Sequence, residues 1–459
     1  MPMQKGFNMN NENSRELSRS LKSRHIQMIA IGGAIGTGLF LGSGSAIKSA
    51  GPSLILAYMI TGGFAYLMMR AVGELLLSNT KMRSFIDFIR VYLGEKWEFA
   101  IGWAYWLSWA SLAMADLTAT GIYLRYWFPW LPQWVTPLIV ILLLVAMNLM
   151  NVRWFGELES GFASIKIIAI LALIIVGAGM ITTGFHTGDN TASLTNLVNH
   201  GGFFATGWHG FLFAFPMVIF AFTGIEMVGL TAGETENPEK DLPKAINSVP
   251  MRIGLFYVGS MIVIMSIYPW NNINAAQSPF VQVFSGMGIS FAATIVNFVV
   301  LTSALSAANS AIFSTSRTLY VLAKNKQAPA FFGKISRHQV PVNGLIVSSA
   351  IFLAIVLLNY FYPSQIFTLI TGVATMSFIF VWILLLVAHL KYRRTPNRKE
   401  HAFKMPFAPY SNYLTIAFFA SVLVILAFNP ETRISVIATI IFFMMLVGGY
   451  SLLNWNKRN

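Results

Sequence analysis

Two Thr-Gly pairs sit near the middle of two long apolar runs. Thr37-Gly38 lies in IAIGGAIGTGLFLGSG (29–44), and Thr223-Gly224 in FPMVIFAFTGIEMVGLTAGE (215–234). The first run holds six glycines, Gly32, Gly33, Gly36, Gly38, Gly42 and Gly44. Each interior glycine weakens a helix by roughly 0.5–1 kcal/mol relative to alanine. One reading is close helix packing of the small-xxx-small kind, and the Gly32/Gly36 and Gly38/Gly42 spacings fit it. The other is an unwound centre, tolerated in a bilayer only where protein or a cavity covers the freed backbone. The repeat of a Thr-Gly pair five helices later favours the break. The chemistry of a break is specific. The N-terminal end of a half-helix offers unpaired N–H groups and about half a positive charge, which suits a carboxylate. The C-terminal end offers bare carbonyls, which suit an ammonium. Both ends facing one space complement the zwitterion of an amino acid without any charged side chain.

Few ionisable residues fall inside the apolar runs. Glu226 follows the second Thr-Gly pair, and either titrates as a gate or hydrogen-bonds the broken backbone. Lys166, in SGFASIKIIAILAL, is a turn and a half into its helix. A Lys at mid-membrane costs on the order of 2.5–3.5 kcal/mol, so it is either functional or snorkels to the interface on its four-carbon stem. Asp116, in SLAMADLTATG, either lines a pocket or pairs within the bundle. Arg70 and Glu74 are four apart on one helix, a spacing that predicts an ion pair. Glu157 and Glu159 flank a loop. The seven histidines are scattered without metal-ligand spacing on a helix, so no metal site is expected. A phosphate-binding loop and a nucleophile–base constellation are both absent from the sequence, which speaks against ATP-driven transport and against an enzyme.

The elements that must position these residues are membrane helices. Only 10% of the 459 residues are charged, whereas a soluble domain carries roughly 25%. The chain has no cysteine, hence no disulfide framework and no thiolate metal site. A span needs about 20 mostly apolar residues. Twelve are read: 26–48, 53–78, 98–125, 134–151, 161–183, 211–233, 252–270, 290–317, 342–358, 364–390, 411–429 and 433–454. The net charge of +14 is not a nucleic-acid patch, because it sorts by side. Most Lys and Arg fall in the N-terminal tail, in the loops after even-numbered helices and in the C-terminal tail. The opposite loops hold only Lys48, Arg125 and Arg433. By the positive-inside rule both termini are cytoplasmic. The aromatic clusters YWFPWLPQW (126–134) and SIYPW (266–270) then sit at the outer interface. A cleaved leader is not expected.

Five helices separate the two interrupted ones. Five is odd, so the second unit is inverted in the membrane. The expected organisation is a tail (1–25), a first repeat of helices 1–5 (26–183), an outer loop (184–210), a second repeat of helices 6–10 (211–390), and helices 11–12 with the C-terminal tail (391–459). Loop 233–247, with Pro238 and Pro243, reads as a folded inner-gate element or a solvated hinge.

GGAIGTGLFLGSG, AVGELLLSN (71–79), GETENPEKDLPKAIN (233–247) and NSAIFSTSRTLYVLA (309–323) resemble the amino acid transporter family of the amino acid–polyamine–organocation superfamily. The stretches RHIQMIAIGGAIGTGLFLGSG, MADLTA, INSVPMRI, SPFVQVF and NFVVLTSALSAANS resemble its D-serine/D-alanine/glycine permease branch, to which lactic-acid-bacterial serine and alanine permeases also belong. The resemblance implies an all-α membrane protein with two intertwined five-helix inverted repeats and broken helices 1 and 6. It also implies proton-coupled import across the cytoplasmic membrane. By position, the family's carboxylate site falls on Thr37 and Gly38 with Gly36 as the turn. Its amine site falls on the carbonyls of Ala34, Ile35, Phe220, Ala221 and Thr223, beside Gly224. Phe220 stands where relatives place an aromatic gate. Lys166 stands where proton-coupled relatives carry a Lys and sodium-coupled ones bind the ion, so Lys166 and Glu226 become the proton-coupling candidates and Asp116 a pocket candidate.

The expected activity is proton symport of small neutral amino acids, namely serine, alanine and glycine as L or D forms, with threonine a further candidate. The partners are the amino acid, protons and the lipid bilayer, with no cofactor, no nucleic acid, and a monomer as the working unit. The alternatives are an exchanger, a permease for γ-aminobutyrate or larger amino acids, and a transport-inactive sensor, against which the short tails speak.

Overall fold

The computed structural model describes residues 35–80, 82, 84–150, 153–187, 190–227, 237–286, 290–336, 340–396, 398 and 401–458. The start of the expected first span, with Gly32, Gly33 and Ala34, lies outside these residues, as does 233–236 of the expected inner-gate loop. Helix α1 (Ser43–Ala50) continues from a π-turn at Gly38–Gly42. There follow α2 (Leu54–Ser78), α3 (Phe85–Leu93), α4 (Glu95–Leu124), α5 (Val135–Met150), α6 (Arg153–Thr183) and α7 (Gly207–Ala221). The second part comprises α8 (Pro238–Asn247), α9 (Ser260–Ile267, entered through a π-turn at Ile253–Gly259), α10 (Ser290–Lys324), α11 (Val342–Phe361), α12 (Ile366–Arg394), α13 (Tyr410–Phe428) and α14 (Arg433–Arg458). Among the described residues the β-structure is one antiparallel pair, His186–Thr187 with Asn190–Thr191.

Eight described stretches are long and apolar enough to cross a membrane: Gly38–Ser78, Gly161–Thr183, Pro238–Ile267, Phe291–Lys324, Val342–Phe361, Ile366–Arg394, Tyr410–Phe428 and Arg433–Ser451. Val135–Leu149 and Gly207–Ala221 are shorter apolar helices. A single rod of 41 residues would run about 60 Å, twice a bilayer core. Gly51, at φ +60°, breaks the first stretch into α1 and α2.

Helix α4 packs against α10 and α12 at the centre. It is buried nearly all round, with Trp109 and Tyr105 among the largest enclosed side chains. A helix of that kind belongs inside a bundle. At the other extreme, only 11% of the apolar window of α14 is buried, against 67% for α12. The outer face of α14 therefore meets lipid.

Several described helices lie beyond the expected spans, α3 and α8 among them. Helix α3 starts with a capping box, in which the Ser84 hydroxyl and the Asp87 carboxylate exchange bonds with each other's backbone ends. It buries Phe85, Ile86, Phe88 and Ile89 on one face. Helix α8 opens with Pro238 in its first turn beside Glu239 and Asp241. It buries Leu242, Ala245 and Ile246, so the described part of the 233–247 loop is a packed element.

The Arg70–Glu74 pair expected from spacing is not formed. Glu74 instead takes both arms of Arg393 from the end of α12, at 2.7 Å each. It also accepts the Met405 amide at 2.6 Å and lies 3.1 Å from the His389 ring. A guanidinium fork matches a buried carboxylate on two bonds, which a neighbour one helical turn away cannot do as well. Arg70 turns to the Asn247 carboxamide (2.8 Å) and the Lys404 carbonyl, with Phe403 under its guanidinium at 3.9 Å. The ends of α2, α8 and α12 and the 401–405 segment are thereby tied together.

Candidate functional site

Helix structure begins at Thr37 after a bend at Ile35-Gly36, and the Gly36 carbonyl accepts the Leu39 and Phe40 amides at 3.2 Å. The amides of Thr37 and Gly38 stand at the start of the described helix. Helix α7 ends at Ala221. The chain then runs through tight turns, with Phe222, Thr223, Ile225 and Met227 amides bonding three residues back and Gly224 at φ +90°. The expected sixth helix (211–233) is thus interrupted at the Thr-Gly pair.

The two interruptions touch. A Cβ placed on Gly38 would lie 2.6 Å from the Ala221 Cα, and one on Gly42 would lie 2.6 Å from the Met217 sulfur. The register rises along one segment and falls along the other, so they cross antiparallel. A Cβ on Gly36 would meet no described atom within 4 Å. The close-packing reading of the glycines is met at Gly38 and Gly42, and the half of the first span before the bend lies outside the described residues. Gly38 and Gly42 permit close packing, while the bend falls at Ile35-Gly36. An N-terminal helix end and a C-terminal helix end of opposite partial charge are brought to one place.

The side chains around this point come from five other helical elements. Thr37 Oγ1 donates to Asp116 Oδ1 at 2.6 Å, with both residues buried. Asp116 therefore stands against the turn at the site, and is not confined to packing of the bundle. Ser303 of α10 donates to the Ile35 carbonyl at 3.5 Å. One turn further along α10, Ser306 takes the Lys166 ammonium at 3.4 Å. Lys166 is 1% exposed, so its head does not snorkel to water. The Thr223 hydroxyl closes onto the Phe220 carbonyl at 2.7 Å, and Tyr257 donates to the Ala221 carbonyl at 2.9 Å. Tyr257 also stacks on Phe222, with ring centroids 4.8 Å apart. Glu226 is fully buried and accepts from Trp382 Nε1 of α12 at 3.3 Å, so it anchors to α12. The Phe220 ring is buried and meets Phe367 edge-on at 6.2 Å.

The structure thus gathers Ile35, Gly36, Thr37, Gly38, Asp116, Phe220 and Ala221 at one crossing. Lys166 is linked to it through α10, and Thr223, Gly224 and Glu226 form the continuation of the break. Ala34 lies outside the described residues. Ser303, Ser306, Tyr257 and Trp382 are not signalled by the broken-helix pattern. Only the first two leave a trace in sequence, as small hydroxyl residues three apart in the apolar run NFVVLTSALSAANS.

Comparison with known proteins gives the family. The family model described as "Amino acid permease" matches residues 25–459. The chain is 58% identical over 435 residues to "Amino-acid permease AapA" of Bacillus subtilis (strain 168), covering 94% of each chain. It is 47% identical over 441 residues to the "D-serine/D-alanine/glycine transporter" of Escherichia coli (strain K12), covering 95% of this chain and 94% of that one. It is 46% identical to "Probable threonine/serine transporter YbxG" of Bacillus subtilis (strain 168), covering 97% of each. Apolar helices able to span a bilayer and this likeness along nearly the whole length make the chain a multi-span membrane protein of the amino acid permease family.

Proposed function

We propose that the protein imports small neutral amino acids, with serine, alanine and glycine favoured, by proton symport with alternating access. The carrying observation is the contact between the two interruptions, Gly38 against Ala221. The Thr37 and Gly38 amides take the substrate carboxylate. The carbonyls of Ile35, Phe220, Ala221 and Thr223, with Ala34, take the ammonium. Tyr257 and Ser303 hold two of those carbonyls in place, and Phe220 with Phe367 closes over the substrate. Asp116 orients the Thr37 hydroxyl and borders the pocket. Lys166 and Glu226 carry the coupling proton. The names of the serine and glycine transporters among the relatives support the substrate class, in L or D form.

In this reading the chain crosses the membrane twelve times in two inverted repeats of five plus two, with both termini cytoplasmic, and a monomer suffices. The antiparallel crossing of the two interrupted segments supports the inversion. Moving one charge down 100 mV yields roughly 2.3 kcal/mol, about a fiftyfold concentration ratio per proton.

The test is uptake of labelled serine into proteoliposomes under an imposed pH gradient, competed by each amino acid and its enantiomer. Accumulation above equilibrium that collapses with the gradient is expected. Uptake only when amino acid is loaded inside would replace symport by exchange. Lys166→Ala should abolish pH-driven accumulation, and a variant that still concentrates serine would remove Lys166 from the coupling step.

A further inference from the structure

A partly open pocket of about 60 Å³ lies between α1, α7, α12 and the Asn429–Thr432 turn that leads into α14. Pro216 and Met217 of α7 line it one turn before Phe220, and Thr368 of α12 lines it next to Phe367. It therefore abuts the Phe220–Phe367 pair on the side toward Ala50, the outer side in the orientation proposed above. At about 10–15 Å³ for each water-sized group it has room for roughly four, enough for a small alkylammonium head.

The lining has a chemical polarity of its own. Six hydroxyl residues face the cavity, and five of them already donate to main-chain carbonyls. Ser45 donates to Gly42 (2.9 Å), Ser49 to Gly210 (3.2 Å), Thr371 to Thr368 (3.0 Å), Thr375 to Pro216 (3.2 Å) and Thr432 to Leu426 (2.7 Å). A hydroxyl that has given its proton to a carbonyl presents only lone pairs. Glu431 is the charged side chain in the lining. Lys48, in the last turn of α1, donates to the Asn271 carbonyl at 2.6 Å and is not part of the lining. Acceptors and one negative charge suit a ligand head that only donates.

We propose that this cavity is an outer subsite for an alkylammonium group, which receives the incoming amino acid by its ammonium end. Glu431 supplies the charge, and the hydroxyl lone pairs supply the remaining acceptors. The carboxylate is left pointing away, free to be taken next by the amides of Thr37 and Gly38. The sequence of the two sites rests on the transport reading, but the ammonium site itself does not.

The probe is ethanolamine, which keeps the ammonium and hydroxyl of serine but lacks its carboxylate. Labelled ethanolamine should bind the full-length protein in detergent. Glu431→Gln should weaken that binding at least tenfold. Glu95→Gln, an exposed carboxylate elsewhere, should not change it. Thr37→Val should weaken serine binding and leave ethanolamine binding intact, because the inner turn is not used. In proteoliposomes ethanolamine should compete with serine uptake, and Glu431→Gln should raise the serine KM severalfold. Failure of the wild-type protein to bind ethanolamine, or equal binding by Glu431→Gln, overturns the proposal. Ethanolamine binding that depends on Glu431 in a protein that moves no serine would uphold the subsite and sink the transport reading.

Discussion

At the scale of single residues, the Thr37–Asp116 bond is the most exacting contact of the site. A buried carboxylate accepts a hydroxyl proton at 2.6 Å, and losing such a partner costs about 1–3 kcal/mol. Thr37→Val should therefore raise the serine KM about tenfold, while Thr37→Ser restores it to within about twofold; concentration-dependent uptake reads both. Gly38→Ala puts a methyl 2.6 Å from the Ala221 backbone, where nothing flexible can yield. Uptake should fall at least tenfold even where the variant reaches the membrane in normal amount. Thr37 and Gly38 were legible as candidates because a Thr-Gly pair recurs in a second apolar run, and Phe220 only through the family resemblance. Tyr257 and Trp382 were not, since an aromatic residue in an apolar helix looks the same whether its polar edge meets a freed carbonyl, a carboxylate or lipid. Asp116 was visible as a candidate but its partner was not, because that partner is 79 positions away.

At the scale of elements, helices declare themselves by apolar length, and their joints do not. The expected spans 53–78, 134–151 and 342–358 appear as Leu54–Ser78, Val135–Met150 and Val342–Phe361. Helix α3 was missed because nine residues cannot span a bilayer, and a hydropathy scan looks for those that can. The choice of Arg393 over Arg70 by Glu74 was hidden for a related reason. Spacing along one helix reveals what is permitted, whereas burial selects the partner with the better geometry. Removing one member of a buried ion pair costs about 3–5 kcal/mol. Glu74→Gln should accordingly lower the melting temperature in detergent clearly, and Arg70→Ala should lower it less, since Arg70 bonds only neutral groups there. Melting curves followed by tryptophan fluorescence would rank the two.

At the scale of the whole molecule, the sidedness of the basic residues is the feature most open to a direct check, because the chain has no cysteine to interfere. A single cysteine at Leu194, which is 57% exposed, should react with an impermeant maleimide added to intact cells. One at Lys324, in the last turn of α10, should react only after the membrane is opened. The reverse result would invert the assigned topology. Which faces meet lipid was only partly legible, since α12 and α14 are similarly apolar yet one is core and the other periphery. The crossing of the two interrupted segments has a mechanical consequence. With Gly38 seated on Ala221 and Gly42 on Met217, neither segment can swing away without dragging the other. In the alternating-access cycle proposed above, doors built on such a hinge open in turn, and the resting protein should be a poor leak for ions even under a steep voltage.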